Sequence, residues 1–247
     1  SNTSSYPQIA KTIAGWMKEE DATRPSTIGD NKLKGNDATA KKINQELHGV
    51  DGIIGYNYAH GYNFDTVHGE HPDWKIYAAE TASAINSRGV YHLRGNDSAN
   101  FELTAYDEKT VGWGHLASQD WYDVIRRDFV AGNFVWTGFD YMGEPTPWNE
   151  TEPKNLAFPR PKSSYFGIVD LAGFPKDRYY FYSSQWRKDM TTLHLLPEWS
   201  DRIKNDNGNV VVYSNAPKVA LYFTPQGSAE RTLVAEQTKK EVKTEAG

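Results

Sequence analysis

Cysteine is absent from this chain of 247 residues, which excludes a disulfide framework, a thiolate metal site and a cysteine nucleophile. Long apolar runs are also missing, since no stretch approaches the ~18 residues that a membrane-spanning helix needs. Positive charge is not in excess, because the formal net charge is −5, and nucleic acid is therefore not an expected partner. Residues 1–5 are small and polar and show no signal-peptide pattern.

Aromatic residues, in contrast, are abundant: 8 Trp, 15 Tyr and 10 Phe make up 13% of the chain. Their flat apolar faces can stack on ligands such as sugars, but they can equally fill a large core. The 38% of hydrophobic and 24% of charged residues are typical of a globular protein with one large domain or two ordinary ones.

Apolar periodicity predicts helices that alternate with strands. The first helix, capped by Ser4 or Ser5, has one apolar face formed by Ile9, Ile13, Trp16 and Met17. Further helices are predicted over 37–47, from a Ser118 cap to a stop at Gly132, and over 177–186. Strands are predicted over 26–29, 52–58, 75–82 and 134–140. This alternation is typical of a parallel sheet with crossover helices.

Two segments are predicted to be loops. Residues 60–73 carry His60, His68 and His71, but the spacing of these histidines fits neither a helical pair nor a zinc-ribbon pattern. We therefore expect a solvent-exposed loop there, with no metal site. Residues 83–117 form a second loop, and ordered loops longer than ~15 residues are usually functional.

Polar side chains gather where the predicted strands end. The apolar run 75–82 brings Glu80 to its C-terminal end, where a carboxylate is costly to bury unless it is paired or used in chemistry. Asn57 and Tyr58 end the strand before it, and Trp136 and Asp140 end the strand after it. Glu80 alone could simply face solvent. Because ligand sites of parallel α/β folds lie at the carboxyl ends of strands, the three neighbouring strands together indicate a site.

The pattern changes from about residue 192 onward. Two β runs are predicted within 209–223, and a Lys/Glu-rich tail closes the chain. We interpret this part as the beginning of a separate β-sandwich, because two or three strands cannot bury a core alone. The expected domains are residues 1–191 and 192–247.

Five motifs resemble the catalytic domain of glycoside hydrolase family 2, and they are most similar to its bacterial β-galactosidases. They are GYNY at 55–58, AETAS at 79–83, FVWTGFDY at 134–141, GEPTPW at 143–148 and YFGIVD at 165–170. The resemblance covers roughly Tyr6 to Trp199, and the tail resembles the immunoglobulin-like domain that follows the barrel in that family. It implies the C-terminal half of a (β/α)8 TIM barrel followed by the beginning of an immunoglobulin-like β-sandwich.

The resemblance also implies roles for individual residues. Glu80 matches the nucleophile of a retaining β-galactosidase, Tyr58 matches the tyrosine that hydrogen-bonds it, and Trp136 matches the aromatic wall of the sugar subsite. Further substrate-binding residues implied by the motifs are Asn57, Asp140 and Trp148. Some family members have a histidine three residues beyond the nucleophile, where this chain has Ser83, so a sugar contact from that position is not carried over. No metal or other cofactor is expected.

The acid/base glutamate of the family lies in an Asn-Glu pair at the end of barrel strand four, and no such pair precedes the first helix here. Asn149-Glu150 is the only such dipeptide, but it follows strand eight and is not assigned the role. Because a complete barrel takes ~250 residues, the chain is expected to hold strands five to eight only. Its expected partners are then the missing barrel half, without which it would be inactive, and a β-galactoside oligosaccharide or glycan.

Two alternatives remain at this point. One is another β-glycosidase of the same family, a β-glucuronidase or a β-mannosidase. The other is a non-catalytic carbohydrate-binding fragment that keeps only the aromatic wall. The lack of cysteine and the substrate class favour an extracellular, cell-surface or periplasmic location.

Overall fold

Helices and parallel strands alternate along the first part of the chain, as the apolar pattern predicts. The computed structural model of the protein describes residues 3–33, 36–148, 160–197 and 209–241. These residues form two compact units: one contains the residues up to Ala84 with Thr110–Thr137, and the other contains Ile85–Lys109 with the residues from Gly138 onward. The domain boundary expected at residue 192 stays a prediction, and Asn149-Glu150 lies outside the described residues.

The first unit begins with a short 3₁₀ turn at Thr3–Ser5, and its elements are α1 (Tyr6–Glu20), β1 (Thr27–Asp30), α2 (Ala38–His48), β2 (Ile53–Asn57), α3 (Gly61–Glu70), β3 (Ile76–Ala82), α4 (Ala117–Ile125) and β6 (Val130–Trp136), while β4 (Asn96–Asp97) and β5 (Glu102–Leu103) belong to the second unit. Its four strands form a parallel sheet with the order β1-β2-β3-β6. Each strand is followed by a helix or a long connection, which is the arrangement that parallel pairing requires.

One face of this sheet forms the core with the helices. Ile54 and Tyr56 of β2 alternate with residues that point to the other face, and both are 0% exposed. Ile76 and Ala78 continue the same row on β3, at 1% and 2% exposure. They belong to one buried cluster with helix residues, including Ala40, Phe64, Val67 and Val124.

The other face carries the polar residues and a few large side chains. Thr27 of β1 lies 3.1 Å from the Tyr77 hydroxyl of β3, and the Tyr77 ring contacts the Phe134 ring edge-on with centroids 5.8 Å apart. Phe134 is 66% exposed, so this face is not covered by the described residues. Asn57 and Glu80 lie on the same face, since the register pairs them.

The loop predicted over 60–73 is wrong, because most of it forms α3. Phe64 and Val67, one turn apart, are 1% and 4% exposed and hold the helix to the core. The Asn63 side chain accepts a hydrogen bond from the His60 backbone N–H and stabilises the first turn. Phe64 and Val67 are the only large apolar side chains among the four buried residues of α3, and two such positions make a weak periodic signal that the sequence pattern missed.

The predicted apolar face of α1 exists but does not face the described core. Ile9, Ile13, Trp16 and Met17 are 48%, 47%, 61% and 53% exposed, and α1 packs against α2 with its small residue Ala14 buried. The Ser5 side chain makes no cap hydrogen bond. None of the described helices is long and apolar enough to cross a membrane.

The predicted bounds of α4 also need correction. Its N-cap is Leu116 rather than Ser118, and it ends at Ile125. Gly132 does not stop the helix but lies inside β6 with φ of 145°, a conformation that favours glycine. The helix is shorter than predicted because the apolar residues Phe129 and Val130 lead into the following strand.

Within its described residues, the second unit contains one helix and three short antiparallel pairs. They are β4 (Asn96–Asp97) with β5 (Glu102–Leu103), β7 (Leu193–Leu196) with β8 (Val211–Ser214), and β9 (Lys218–Phe223) with β10 (Thr232–Thr238). The helix α5 (Asp177–Trp186) has the predicted bounds and packs against β7 and β8. The two β runs predicted within 209–223 are confirmed as β8 and β9.

Candidate active site

Glu80 lies near the C-terminal end of β3, on the sheet face opposite the helix-packed core. Its register partner on β2 is Asn57, and a shift of register just before this pair brings the two side chains to one level. The Glu80 side chain is partly buried rather than fully exposed. Glu80 therefore lies at the edge of the sheet formed by the C-terminal ends of the strands, as the sequence predicts.

Tyr58 holds one oxygen of the Glu80 carboxylate. The Tyr58 hydroxyl donates to Glu80 Oε1 over 2.5 Å, a short hydrogen bond to a charged acceptor. Burial raises the pKa of the Tyr58 hydroxyl above its ordinary value, and the hydrogen bond to Glu80 raises it further. Tyr58 therefore stays protonated and acts as a donor throughout the neutral pH range.

Asn57 reaches the second oxygen of the same carboxylate. Its Nδ2 lies 3.4 Å from Glu80 Oε2. The amide fits there because the neighbouring strand has Gly29 beside it: a Cβ at that position would lie 3.0 Å from Asn57 Oδ1. Both carboxylate oxygens of Glu80 thus face a donor, which orients the side chain.

Ser83 is part of this hydrogen-bonded group, although the sequence did not single it out as a site residue. Its Oγ lies 2.6 Å from the Tyr58 hydroxyl, and the Trp113 side chain from the long loop hydrogen-bonds to the same hydroxyl. Ser83 is 1% exposed, whereas Trp113 is 54% exposed. The only sequence signal for Ser83 was its position three residues after Glu80.

Trp136 is the last residue of β6 and lies beside Ala82 in the register with β3. It is partly buried, and the peptide bond that joins it to Thr137 is cis. Trp136 therefore ends its strand two residues beyond the level of Glu80, on the strand adjacent to it. Its predicted contact with a sugar stays a prediction.

Asp140 and Trp148 belong to the second unit, and their contacts there are those of structural residues. Asp140 forms an ion pair of 2.7 Å with Lys176 and accepts the Gly167 N–H over 2.7 Å. Burial raises the pKa of Asp140 and lowers the pKa of Lys176 to about 8, because both charges are removed from water.

Trp148 is 1% exposed and packs edge-on against Phe101 and Tyr165. The sugar contacts predicted for Asp140 and Trp148 gain no support from these surroundings and stay predictions.

The histidines of segment 60–73 stack on aromatic rings instead of converging. His60 stacks on His115 at 3.8 Å, His68 on Phe129 at 3.9 Å and His71 on Trp74 at 3.9 Å between ring centroids. No group of three or more His, Asp or Glu side chains that could hold a metal ion occurs in the described part of the chain.

Known proteins with similar sequences and structures are glycoside hydrolases. BoGH2A, a β-galactosidase of Bacteroides ovatus, is 34% identical over 227 residues, which are 87% of this chain and 25% of that protein. A β-glucuronidase of Bacteroides fragilis is 24% identical over 226 residues, or 87% of this chain and 29% of that protein. The crystal structure of a β-glycosidase from Bacteroides vulgatus matches with a TM-score of 0.62 and 22% identity, over 93% of this chain and 30% of that one. No protein-family model matches the sequence.

The chain spans 25% and 29% of the two relatives' lengths. Within that span, the match to BoGH2A extends over nearly the whole chain, and the likeness to the solved β-glycosidase shows a common α/β fold. This chain belongs to glycoside hydrolase family 2 and corresponds to one part of the longer relatives that it matches.

Proposed function

We propose that this chain supplies the nucleophile, Glu80, of a retaining glycoside hydrolase that cleaves terminal β-D-galactosides. The observation that carries the proposal is the pair of donors on its carboxylate, Tyr58 at 2.5 Å and Asn57 at 3.4 Å. Hydrogen bonds of this kind fix the direction of the lone pairs of a carboxylate, as a nucleophile requires. The 34% identity to a β-galactosidase supports galactose as the sugar.

Two displacements at one carbon make up the reaction. In the first, a Glu80 oxygen bonds to the anomeric carbon while the bond to the leaving oxygen breaks, and a second carboxylic acid protonates that oxygen. In the second, water attacks the same carbon and gives its proton to the second carboxylate, and Glu80 leaves as a carboxylate. Tyr58 stabilises the charge of Glu80 whenever it is present, and Trp136 offers an apolar wall to the sugar's C–H face.

The second carboxylate is proposed to lie outside this chain, in an Asn-Glu pair that precedes α1 in the whole enzyme. In this proposal β1, β2, β3 and β6 are strands five to eight of a (β/α)8 barrel, and the residues from 192 begin an immunoglobulin-like domain. The parallel order β1-β2-β3-β6 supports this arrangement, and so does the uncovered sheet face on which Phe134 is 66% exposed. The partner of the chain is then the remainder of the enzyme.

A β-glucuronide is the second candidate substrate, favoured by the relative from Bacteroides fragilis, a β-glucuronidase that matches 87% of the chain. The two sugars differ in the orientation of the hydroxyl on C4 and in the group on C5, which is a carboxylate in glucuronate and a neutral hydroxymethyl group in galactose. A series of aryl β-galactoside, β-glucuronide and β-mannoside substrates therefore separates the candidates by their kcat/KM values.

The test is covalent trapping in the complete protein that contains this chain. A 2-fluoro-β-galactoside with a good leaving group is expected to add one sugar to the peptide that contains Glu80, as mass spectrometry would show. The variant Glu80→Gln is expected to lose labelling and roughly three or more orders of magnitude in kcat.

A matched control is Glu70→Gln, an exposed glutamate paired with Lys41 on α2, which should retain labelling and turnover. Labelling of another residue, or turnover that survives in Glu80→Gln, would refute the assignment of the nucleophile. Turnover of galactosides with no label on any carboxylate would refute the retaining mechanism.

A further inference from the structure

The chain turns sharply just after Glu80, and the two residues of this turn, Ala82 and Ser83, are not glycines. Ala82 and Ser83 have φ angles of 68° and 46°, in the left-handed region that non-glycine residues rarely adopt. Residues persist in such conformations only where the surroundings hold them there, and they are concentrated at functional sites. The contacts that hold this turn are therefore informative.

Asp120 and His115 fix the backbone of the turn. The Ala82 N–H donates to Asp120 Oδ2 over 2.5 Å, and the Ala82 carbonyl accepts the backbone N–H of His115 over 2.7 Å. Asp120 is 2% exposed, and its second oxygen lies 2.8 Å from His115 Nδ1. A buried carboxylate with both oxygens bonded is a rigid support.

Gly114 allows the loop to approach this closely. A Cβ at Gly114 would lie 2.5 Å from the Ala82 carbonyl oxygen and 2.8 Å from that of Ser83. The Ser83 carbonyl also accepts the Val111 N–H over 3.3 Å. The long loop thus holds both residues of the turn through their backbones, and it directs the Ser83 side chain toward Tyr58.

Counting protons assigns the direction of the hydrogen bonds. Tyr58 has a single hydroxyl proton, and an ionised Glu80 can only accept, so this proton lies in the 2.5 Å bond to Glu80. The proton in the 2.6 Å contact between Ser83 and Tyr58 must then come from Ser83. The chain of donation is Ser83 to Tyr58 to Glu80.

We propose that Ser83 is a positioning residue that acts on the nucleophile through Tyr58, an inference that rests on the proposed function. A donor to the phenol oxygen polarises its O–H bond and strengthens the hydrogen bond that Tyr58 makes to Glu80. Ser83 is 1% exposed, so it acts through Tyr58 and not by contact with the sugar. Its hydroxyl stabilises Glu80 most when the carboxylate is charged, before attack and on departure from the sugar.

The first experiment compares Ser83→Ala and Ser83→Gly in the complete protein with an aryl β-galactoside. Both variants lack the hydroxyl, but only glycine adopts positive φ without cost. Loss of one hydrogen bond is expected to lower kcat about fivefold in both variants, with KM unchanged. A loss confined to one of the two variants would assign the effect to the backbone, since both variants lack the hydroxyl, and an effect on KM alone would assign it to sugar binding. Either result overturns the proposal.

A double-mutant cycle with Tyr58→Phe gives a readout that a purely structural role would not change. The effect of Ser83→Ala should disappear in the Tyr58→Phe background, because the acceptor is already gone. The control is Ser184→Ala, which removes another buried hydroxyl, one that donates to the Phe181 carbonyl over 2.7 Å; its kinetics should equal wild type. Independent, additive losses from Ser83→Ala and Tyr58→Phe would overturn the proposal that Ser83 acts through Tyr58.

Different results would refute the positioning role of Ser83 and the proposed glycosidase function. A wild-type protein that neither turns over β-glycosides nor takes up the 2-fluoro label refutes both together. If the wild-type protein is active and labelled on Glu80, and the Ser83→Ala and Ser83→Gly variants are as active as wild type, only the positioning role of Ser83 is refuted.

Discussion

Replacing Tyr58 by phenylalanine removes one oxygen atom from the group around Glu80 and leaves the shape of the side chain almost unchanged. The lost hydroxyl donates to Glu80 over 2.5 Å and accepts from Ser83 over 2.6 Å. Tyr58 is 7% exposed, so water has little access with which to replace the missing donor. Among the described residues, the carboxylate then keeps only the longer side-chain contact to Asn57.

The expected loss follows from the type of hydrogen bond. A hydrogen bond to a charged acceptor contributes about 1.5 to 3 kcal/mol, and each 1.36 kcal/mol corresponds to a tenfold change in rate. Tyr58→Phe should therefore lower kcat/KM for an aryl β-galactoside about 10- to 150-fold. The rate of labelling by a 2-fluoro-β-galactoside should fall with it, because the same carboxylate attacks in both reactions.

Tyr56→Phe is the matched control two residues earlier on the same chain. Tyr56 points into the helix-packed core at 0% exposure, and its hydroxyl has no hydrogen-bond partner among the described residues. Removing a buried, unpaired hydroxyl should leave kcat/KM unchanged and leave the stability equal or slightly raised. Equal rates for Tyr58→Phe and wild type, or equal losses for both variants, would refute the assigned role of Tyr58.

Two further substitutions test the supports of the fold and the turn. Lys176→Met should lower the free energy of unfolding, measured by urea denaturation, by about 3–5 kcal/mol, because it leaves Asp140 as an unpaired buried charge. Adding Asp140→Asn should recover part of this loss. An unchanged urea midpoint for the single variant would contradict the ion pair. Gly114→Ala should lower kcat at least about tenfold, since the new methyl would displace the backbone of Ala82 that it would approach to 2.5 Å. Gly112→Ala, where no atom lies within 4 Å of the added Cβ, should keep wild-type kcat; similar kinetics for the two glycine variants would show that the close approach does not matter.

The parallel sheet could be predicted because its strands carry strong local signals. β2 and β3 are short, mostly apolar runs, and each carries a polar side chain, Asn57 or Glu80, at or near its C-terminal end. Such signals lie within a few neighbouring residues and survive without any knowledge of the tertiary structure. The antiparallel strands β8 and β9 were predicted for the same reason.

The helices were harder to predict, because their burial depends on what packs against them. α3 was missed since only a narrow stripe around Phe64 and Val67 is buried. For α1, the apolar stripe around Ile13 and Trp16 was correctly recognised, but this stripe is not buried in the described core. Amphipathicity predicts that a face will be covered, not which residues cover it.

Within the site, the residues that share a strand end with Glu80 were foreseeable and those that support it were not. Tyr58 and Asn57 approach Glu80 through the register of two adjacent strands. Asp120, in contrast, reaches Ala82 from 38 positions along the chain and acts on a backbone N–H, for which no side-chain pattern exists. The ion pair between Asp140 and Lys176 also joins residues far apart in the sequence, so the sequence could not separate a structural aspartate from a sugar-binding one.

The left-handed conformation of Ala82 and Ser83 also limits which amino acids can occupy these two positions over evolution. Valine, isoleucine and threonine are the poorest choices, because their branched Cβ atoms clash with the backbone at positive φ. Glycine, asparagine and small residues remain acceptable. Invariance of small residues at 82 and 83 among homologues would consequently record a demand of the backbone, and it could be mistaken for a demand of the chemistry if the dihedral angles were ignored.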